Sequence, residues 1–158
     1  MPGADVRRPA TYHKHPRGVV RITPMFSTVI SPRFYETDAF GHINNIVVAG
    51  WFETGREAIF RVFTPELDPQ KLPLILARIE VDFVAQIYYG SEVEIRTGIE
   101  KFGRTSFIVV QEAWQKGGLV ARGRAVQVYF NHDTQQSEPL PQAYRDVLEQ
   151  HLVDAAQN

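Results

Sequence analysis

A polar segment between residues 38 and 45, DAFGHINN, carries the residue types that can act on a carbonyl group. Asp38 offers a carboxylate, which can take a proton from water as a general base or attack a carbonyl carbon directly. Asn44 and Asn45 lie just before an apolar stretch that we predict to be a helix. Backbone N–H groups at a helix start are unpaired and carry partial positive charge, so those near Asn44, Asn45 and Ile46 can stabilise an oxyanion. The pattern indicates acyl-group chemistry where a strand runs into a helix.

Structural roles compete with chemical roles for each of these residues. Aspartate is a favoured helix N-cap, which is the alternative role for Asp38. His42 can hold a substrate carbonyl, orient Asp38, or form hydrogen bonds within the loop. The side chains of Asn44 and Asn45 suit turns and caps, so we expect them to hold the loop rather than to react. Gly41 allows the backbone to come close to a substrate.

Hydrophobic periodicity predicts the elements that position this segment. A first strand, FSTVISPRFYET, has a break near Pro32, and residues 33–37 form its end. A helix is predicted from about Ile46 to Phe63. Four strands and a short C-terminal helix follow, in the stretches LILARIEVDFVAQ, YYGSEVEIRTGIEKFG, RTSFIVVQEAWQ, LVARGRAVQVYFN and LPQAYRDVLEQHL, with a hairpin turn at KGG. In the first of these stretches Ile79, Val81 and Phe83 alternate with Arg78, Glu80 and Asp82, so each set faces one side of the sheet.

The predicted long helix is apolar enough that we expect the sheet to wrap around it. Its apolar stripe consists of Val48, Phe52, Ile59 and Phe63. Gly50 and Gly55 each weaken a helix by roughly 1 kcal/mol relative to alanine, which makes sense if sheet or partner backbone passes close by. Glu53 and Arg56 lie one turn apart, and we expect an ion pair between them on the helix face.

Composition argues against several classes of protein. The net charge of −1 gives no basic surface for nucleic acid or for a membrane. The chain has no cysteine, which removes disulfides and zinc–thiolate sites and fits a reducing compartment, so we expect a cytoplasmic protein. Five scattered histidines show no ligand spacing, so no metal site is predicted. We predict a mobile N-terminal tail over residues 1–25 and one domain over residues 26–158.

The motif YETDAFGHINN, followed by WFETGR, resembles the 4-hydroxybenzoyl-CoA thioesterase-like family of acyl-CoA thioesterases, which have the hotdog fold. The resemblance covers about residues 28–143. It implies an α+β fold, in which an antiparallel sheet wraps around a long central helix. It also implies hydrolysis of an acyl-CoA to a free acid and coenzyme A, with no cofactor, by a homodimer or homotetramer.

The resemblance assigns roles within the motif. It makes Asp38 the general base or nucleophile, and by matched position the oxyanion-hole amide is the backbone N–H of Asn45. We add His42 as a third catalytic candidate, and we place Gly41 and Asn44 at the substrate. In some other hotdog thioesterases the catalytic carboxylate is a glutamate on the helix, so Glu53 is the reserve candidate.

Coenzyme A carries phosphates, which a few arginine or lysine side chains can bind. Arg78, Arg104 and Thr105 are the predicted contacts, since Arg104 and Thr105 follow KFG at a strand start. Solvated strand ends are the competing interpretation.

The sequence leaves the acyl group open, together with the choice between coenzyme A and an acyl carrier protein. Val48 stands where the family often has a tyrosine, and this exchange can change the shape of an acyl pocket. A hotdog hydratase or dehydratase is one alternative, because Asp38 and His42 lie four residues apart. A non-catalytic acyl-binding module is the other.

Overall fold

A computed structural model describes residues 25–153 in full. Before them it describes the backbone of two short paired strands, β1 (Tyr12–Lys14) and β2 (Val20–Ile22). The predicted mobile tail, residues 1–25, falls largely outside these residues, so its mobility stays a prediction.

The domain is built on one antiparallel sheet and one long helix. In chain order the elements are β3 (Phe26–Ile30), a 3-10 turn (Phe34–Glu36), α1 (Asn45–Phe63), β4 (Leu74–Phe83), β5 (Val93–Phe102), β6 (Ser106–Gln115), β7 (Gly118–Asn131), β8 (Gln136–Ser137) and α2 (Gln142–Glu149). The strands pair in the order β3-β5-β6-β7-β4, and β8 pairs with β7. This arrangement confirms the predicted hotdog fold.

The predicted strand patterns match the register of the sheet. Buried and less buried residues alternate along the whole of β6. Lys116 and Gly117, which join β6 to β7, have φ angles of 50° and 76°, as a tight hairpin with two left-handed residues requires. The pairing of β4 with β7 shifts register between Leu76 and Arg78, and beyond this bulge Ile79, Val81 and Phe83 share a face as predicted.

Helix α1 packs its apolar stripe on the inner face of the sheet. Val48, Phe52, Ile59 and Phe63 are all buried, as predicted. Phe52 covers Gly123 of β7 so closely that a Cβ at position 123 would lie 2.8 Å from its ring. Gly55 packs closely on the sheet, since a Cβ there would lie 2.6 Å from the Ile95 side chain of β5, but side chains make this approach and not the sheet backbone that was predicted. Gly50 has no neighbour within 4 Å of such a Cβ among the described residues, so they show no close approach at Gly50.

Residues 33–37 do not extend the first strand, which corrects the prediction for its end. Strand β3 stops at Ile30, and Pro32 cannot donate to a strand ladder because it lacks an N–H. Residues 34–36 then form a 3-10 turn, which the Glu36 carboxylate stabilises by accepting a hydrogen bond from the Arg33 N–H at 2.7 Å.

Two features are absent from the described residues, a membrane-spanning helix and a cluster of metal ligands. No helix among them is long and apolar enough to cross a membrane. Within the same part of the chain, no three histidine, aspartate or glutamate side chains converge as a metal ion would need.

Candidate active site

The polar segment forms a small hairpin between the 3-10 turn and α1. Thr37 pairs with Ile43, the Asp38 N–H donates to the His42 carbonyl at 2.7 Å, and the Asn44 N–H donates to the Glu36 carbonyl at 2.8 Å. The tip contains Gly41, whose φ of +80° is one that side-chain-bearing residues rarely adopt. We call residues 38–42 the Asp38 loop.

The carboxylate of Asp38 is half-buried, and only one of its two oxygens accepts hydrogen bonds from the described residues. Its Oδ1 accepts from the Phe40 N–H at 2.8 Å and from the His42 N–H at 3.1 Å. Its Oδ2 accepts no hydrogen bond from any residue in the range 25–153. Asp38 does not cap α1, so that alternative role is wrong: the cap is Asn44, whose side chain accepts from the Ile46 N–H at 3.1 Å. The carboxylate therefore keeps one oxygen for an external partner.

Of the three backbone N–H groups predicted as oxyanion donors at the start of α1, one has no acceptor among the described residues. Three candidate N–H groups were predicted there, and two have partners, because Asn44 donates to Glu36 and Ile46 donates to the Asn44 side chain. The Asn45 N–H bonds to no acceptor among the described residues, and Asn45 is exposed. The N–H that the resemblance selected is thus the one that the local structure leaves unpaired.

His42 contacts Asp38 through its backbone and Tyr88 through its ring. The imidazole lies edge-on to the Tyr88 ring, with centroids 5.3 Å apart, and it forms no hydrogen bond with Asp38. Beside it, the Ile43 N–H donates to the Ile87 carbonyl at 2.7 Å. Gln115, at the end of β6, both donates to and accepts from the Tyr88 backbone, at 2.8 and 3.0 Å. These bonds tie the Asp38 loop to one end of the sheet.

Glu53 and Arg56 do not form the predicted ion pair. Glu53 is exposed, whereas Arg56 is 2% exposed and donates to the Gln111 side chain at 3.1 Å. Burial lowers the pKa of the Arg56 guanidinium, and the charge of Glu53 partly opposes that shift. The prediction failed because the two side chains leave α1 on different faces, one toward the sheet and one toward solvent.

The predicted coenzyme contacts lie apart from the Asp38 loop. Arg104 and Thr105 occupy the turn between β5 and β6, at the opposite end of β6 from Gln115. The ten residues of β6 span ~33 Å. Arg78 lies midway along β4, exposed and paired with Glu80. One chain therefore brings Asp38, Gly41, His42, Asn44 and Asn45 together and leaves these three residues elsewhere.

Two open clefts border the outer face of α1. One, of about 560 Å³, lies between β3 and the first half of the helix and is lined by Val29, Arg33 and Trp51 among others. The other, of about 400 Å³, runs along the second half and is lined by Glu53, Glu57 and Asp68 among others. Asp38 and His42 line neither cleft.

Comparisons with known proteins identify related chains. Residues 32–150 match the family model of the thioesterase-like superfamily. A predicted thioesterase from Bacillus stearothermophilus is 47% identical, with a TM-score of 0.82 over 84% of this chain and 100% of that chain. A thioesterase from Thermus thermophilus, solved with coenzyme A and Zn, is 28% identical, with a TM-score of 0.71 over 78% of this chain and 90% of that chain. The Bacillus subtilis (strain 168) protein YsmA is 28% identical over 81 residues, which are 51% of this chain and 55% of YsmA, so the chain spans about half the length of that relative.

Proposed function

Because the chain belongs to the thioesterase-like superfamily, a family of thioester hydrolases, we propose that it hydrolyses an acyl-CoA to a free acid and coenzyme A. The observation that carries this proposal is that a carboxylate oxygen and a backbone N–H, both without hydrogen-bond partners among the described residues, lie close together in the chain where α1 begins. Asp38 keeps a free carboxylate oxygen, and a few residues later the first N–H of α1 has no acceptor among the described residues. Hydrolysis of a thioester needs both kinds of group.

The carboxylate of Asp38 supplies the attack on the thioester. As a general base it takes a proton from water, whose oxygen bonds to the carbonyl carbon. As a nucleophile it bonds to that carbon itself and forms a mixed anhydride, which water then hydrolyses. In both routes the carbon–sulfur bond breaks, its electron pair leaves with sulfur, and a proton completes the coenzyme A thiol. Both routes remain open.

The N–H of Asn45 stabilises the negative charge that develops on the thioester oxygen. A preorganised donor of this kind is worth about 10²–10³ in rate. Three features support the assignment to Asn45: its N–H is unpaired within residues 25–153, it lies at the positive end of a 19-residue helix, and it is exposed to an incoming substrate. His42 stays a third catalytic candidate, and its imidazole can contact the substrate carbonyl.

Coenzyme A as the acyl carrier is supported by the Thermus thermophilus thioesterase that was solved with coenzyme A. Gly41 and Asn44 remain the predicted contacts near the thioester. Arg78, Arg104 and Thr105 remain the predicted contacts for the phosphates. Since Arg104 and Thr105 lie at the far end of the sheet, we propose that they contact a coenzyme A bound at a partner subunit.

We propose that the active form is a homodimer formed through β4, with a tetramer as a pair of such dimers. Strand β4 ends the sheet, so its outer edge has no neighbouring strand among the described residues. Its inner face is also uncovered, because Ile79 is 38% exposed and Phe83 is 48% exposed. An unpaired apolar edge favours pairing with another chain, and symmetric pairing with a second copy covers both the edge and the face.

The dimer is tested by light scattering on the wild type and on two variants. Phe83→Glu should give monomers and lose hydrolysis, because it places a charge on the uncovered face of β4. Val147→Glu is the control, since Val147 is also an exposed apolar residue, at 43%, but lies on α2. An active wild-type monomer at micromolar concentration would contradict the proposal.

The activity is tested by the release of free thiol from a panel of short, medium, long and aromatic acyl-CoAs. We expect release from at least one of them, and the preferred member gives the substrate class. A protein that binds acyl-CoA without releasing thiol from any of them is an acyl-binding module instead. A protein that hydrates an unsaturated acyl-CoA without releasing thiol is a hydratase.

A further inference from the structure

Glu36 is a buried carboxylate at the point where the 3-10 turn, the Asp38 loop and α1 meet. It is 9% exposed. Its Oε2 accepts from the Arg33 N–H at 2.7 Å, and its Oε1 accepts from the Trp51 Nε1–H at 3.2 Å. Its backbone carbonyl accepts from the Asn44 N–H at 2.8 Å. One residue therefore contacts the turn before the loop, the cap of α1 and the second turn of α1.

No cation among the described residues forms a direct ion pair with this carboxylate, although the pKa of the Arg33 guanidinium is raised by its hydrogen bond to Tyr35 and, to a smaller extent, by the charge of Glu36. None of the ion pairs formed within residues 25–153 includes Glu36. The nearby guanidinium of Arg33 instead donates to the Tyr35 hydroxyl at 2.8 Å. A buried charge is costly unless it is hydrogen-bonded, so the bonds from Arg33 and Trp51 are what hold the carboxylate in place.

Glu36 lies close in the chain to both groups that the proposed reaction needs, the Asp38 carboxylate and the Asn45 N–H. Asp38 lies two residues after Glu36, and Asn45 follows directly on Asn44, which Glu36 binds. Within the loop, the carboxylate of Asp38 is held against the loop backbone by the Phe40 and His42 N–H groups, so its position depends on where the loop lies. Besides the Asn44 cap, the hydrogen bond from Trp51 to Glu36 is a side-chain contact that joins the chain just before the loop to the second turn of α1.

We propose that Glu36 is a positioning residue that acts through Trp51 to set the distance between the Asp38 carboxylate and the Asn45 N–H. The inference rests on the proposed function. A base and an oxyanion donor act on the same carbonyl group, so their separation must match one substrate geometry. A displacement of about 1 Å in such a pair costs on the order of 10²-fold in rate.

The chain contains a matched control for this contact. Trp114 also donates its Nε1–H to a glutamate, Glu112, at 2.9 Å, but both lie on the less buried face of β6, and this hydrogen bond includes no residue of the Asp38 loop or of α1. Trp51→Phe and Trp114→Phe therefore delete the same kind of hydrogen bond and keep an aromatic ring in each case. Glu36→Gln keeps one acceptor oxygen and turns an NH₂ group toward the other donor, whereas Glu36→Ala removes both acceptors.

The experiment measures kcat, KM and the melting temperature of each variant. We expect Trp51→Phe to lower kcat by about tenfold or more with KM within about threefold, while Trp114→Phe keeps the wild-type kcat. Glu36→Ala should lower kcat more than Glu36→Gln does. If Glu36→Ala does not fold, the two tryptophan variants carry the test.

A purely structural role predicts a different result, which overturns the inference. In that case Trp51→Phe lowers the melting temperature while kcat per folded molecule equals that of the wild type. Asp38→Asn, measured in parallel, separates the two proposals. If Asp38→Asn is inactive and Trp51→Phe is fully active, only the role of Glu36 is wrong. If Asp38→Asn keeps the wild-type rate, the proposed function and this inference both fail.

Discussion

Replacing Asn45 with proline should remove the proposed oxyanion donor and leave α1 intact. Asn45 is the first residue of the helix, where proline is favoured because its missing N–H has no helical partner. The preceding residue, Asn44, has φ −62° and ψ 130°, which is the extended conformation that a residue before proline prefers. The free energy of unfolding should therefore stay within about 0.5 kcal/mol of the wild-type value.

The expected loss of activity follows from the single N–H that is deleted. Loss of one oxyanion donor costs about 2.7–4 kcal/mol of transition-state stabilisation, or about 10²–10³ in kcat. Asn45→Ala is the matched control, because it removes the side chain and keeps the N–H. Its kcat should fall by no more than about threefold, a barrier change of roughly 0.65 kcal/mol.

The assay is steady-state thiol release from one good acyl-CoA, with circular dichroism to confirm that both variants are helical. A proline ring that only blocks the site raises KM, whereas loss of the donor lowers kcat. The reasoning is refuted if folded Asn45→Pro turns over at the wild-type rate. It is also refuted if Asn45→Ala is as slow as Asn45→Pro, because the side chain would then be the active part.

Four further substitutions test the stability of the elements around the site. Gly55→Ala should lower the free energy of unfolding by about 1–3 kcal/mol, because its Cβ would lie 2.6 Å from Ile95. A Cβ at Gly50 would lie in open space, so Gly50→Ala should raise the free energy of unfolding by up to about 1 kcal/mol. If the urea midpoints of Gly55→Ala and Gly50→Ala shift in the same direction, the described packing of α1 on the sheet is wrong. Gly41→Ala should cost about 1–2 kcal/mol and reduce kcat, because alanine is strained at φ +80°, and unchanged thermal melting and turnover would contradict this. Asn44→Ala removes the cap of α1 and should lower the unfolding free energy by about 0.5–2 kcal/mol, which urea titration measures.

Sequence patterns predicted the elements whose signals are local. The stripe of α1, the alternation of β6 and the Lys116–Gly117 turn each depend on neighbours a few residues apart, and each is present in the structure. The end of the first strand was misjudged, because the Glu36 carboxylate stabilises a turn where the side-chain pattern favoured a strand.

Features that depend on tertiary packing were not predictable from the same patterns. The one-turn spacing of Glu53 and Arg56 suggested an ion pair. In the structure Arg56 lies on the buried face of α1 and Glu53 on the exposed face, so the two side chains do not meet. Glu36 was missed because its partner Trp51 lies 15 residues away, and because Arg33 stands where a capping box usually has serine or threonine. The turn at Arg104 looked suited to phosphate, but only the strand order shows which end of the sheet it occupies.

The central claim is that the Asp38 carboxylate drives thioester hydrolysis, and one comparison of variants tests it most directly. Thiol release from one good acyl-CoA is measured for the wild type, Asp38→Asn and Glu53→Gln, with circular dichroism to confirm folding. A positioned base contributes about 10²–10⁴ in rate, so Asp38→Asn should lower kcat by at least about a hundredfold while substrate binding is better preserved. Glu53→Gln should stay near the wild-type rate. A nearly wild-type rate for Asp38→Asn together with an inactive Glu53→Gln would contradict the claim and make the helix glutamate the catalytic group.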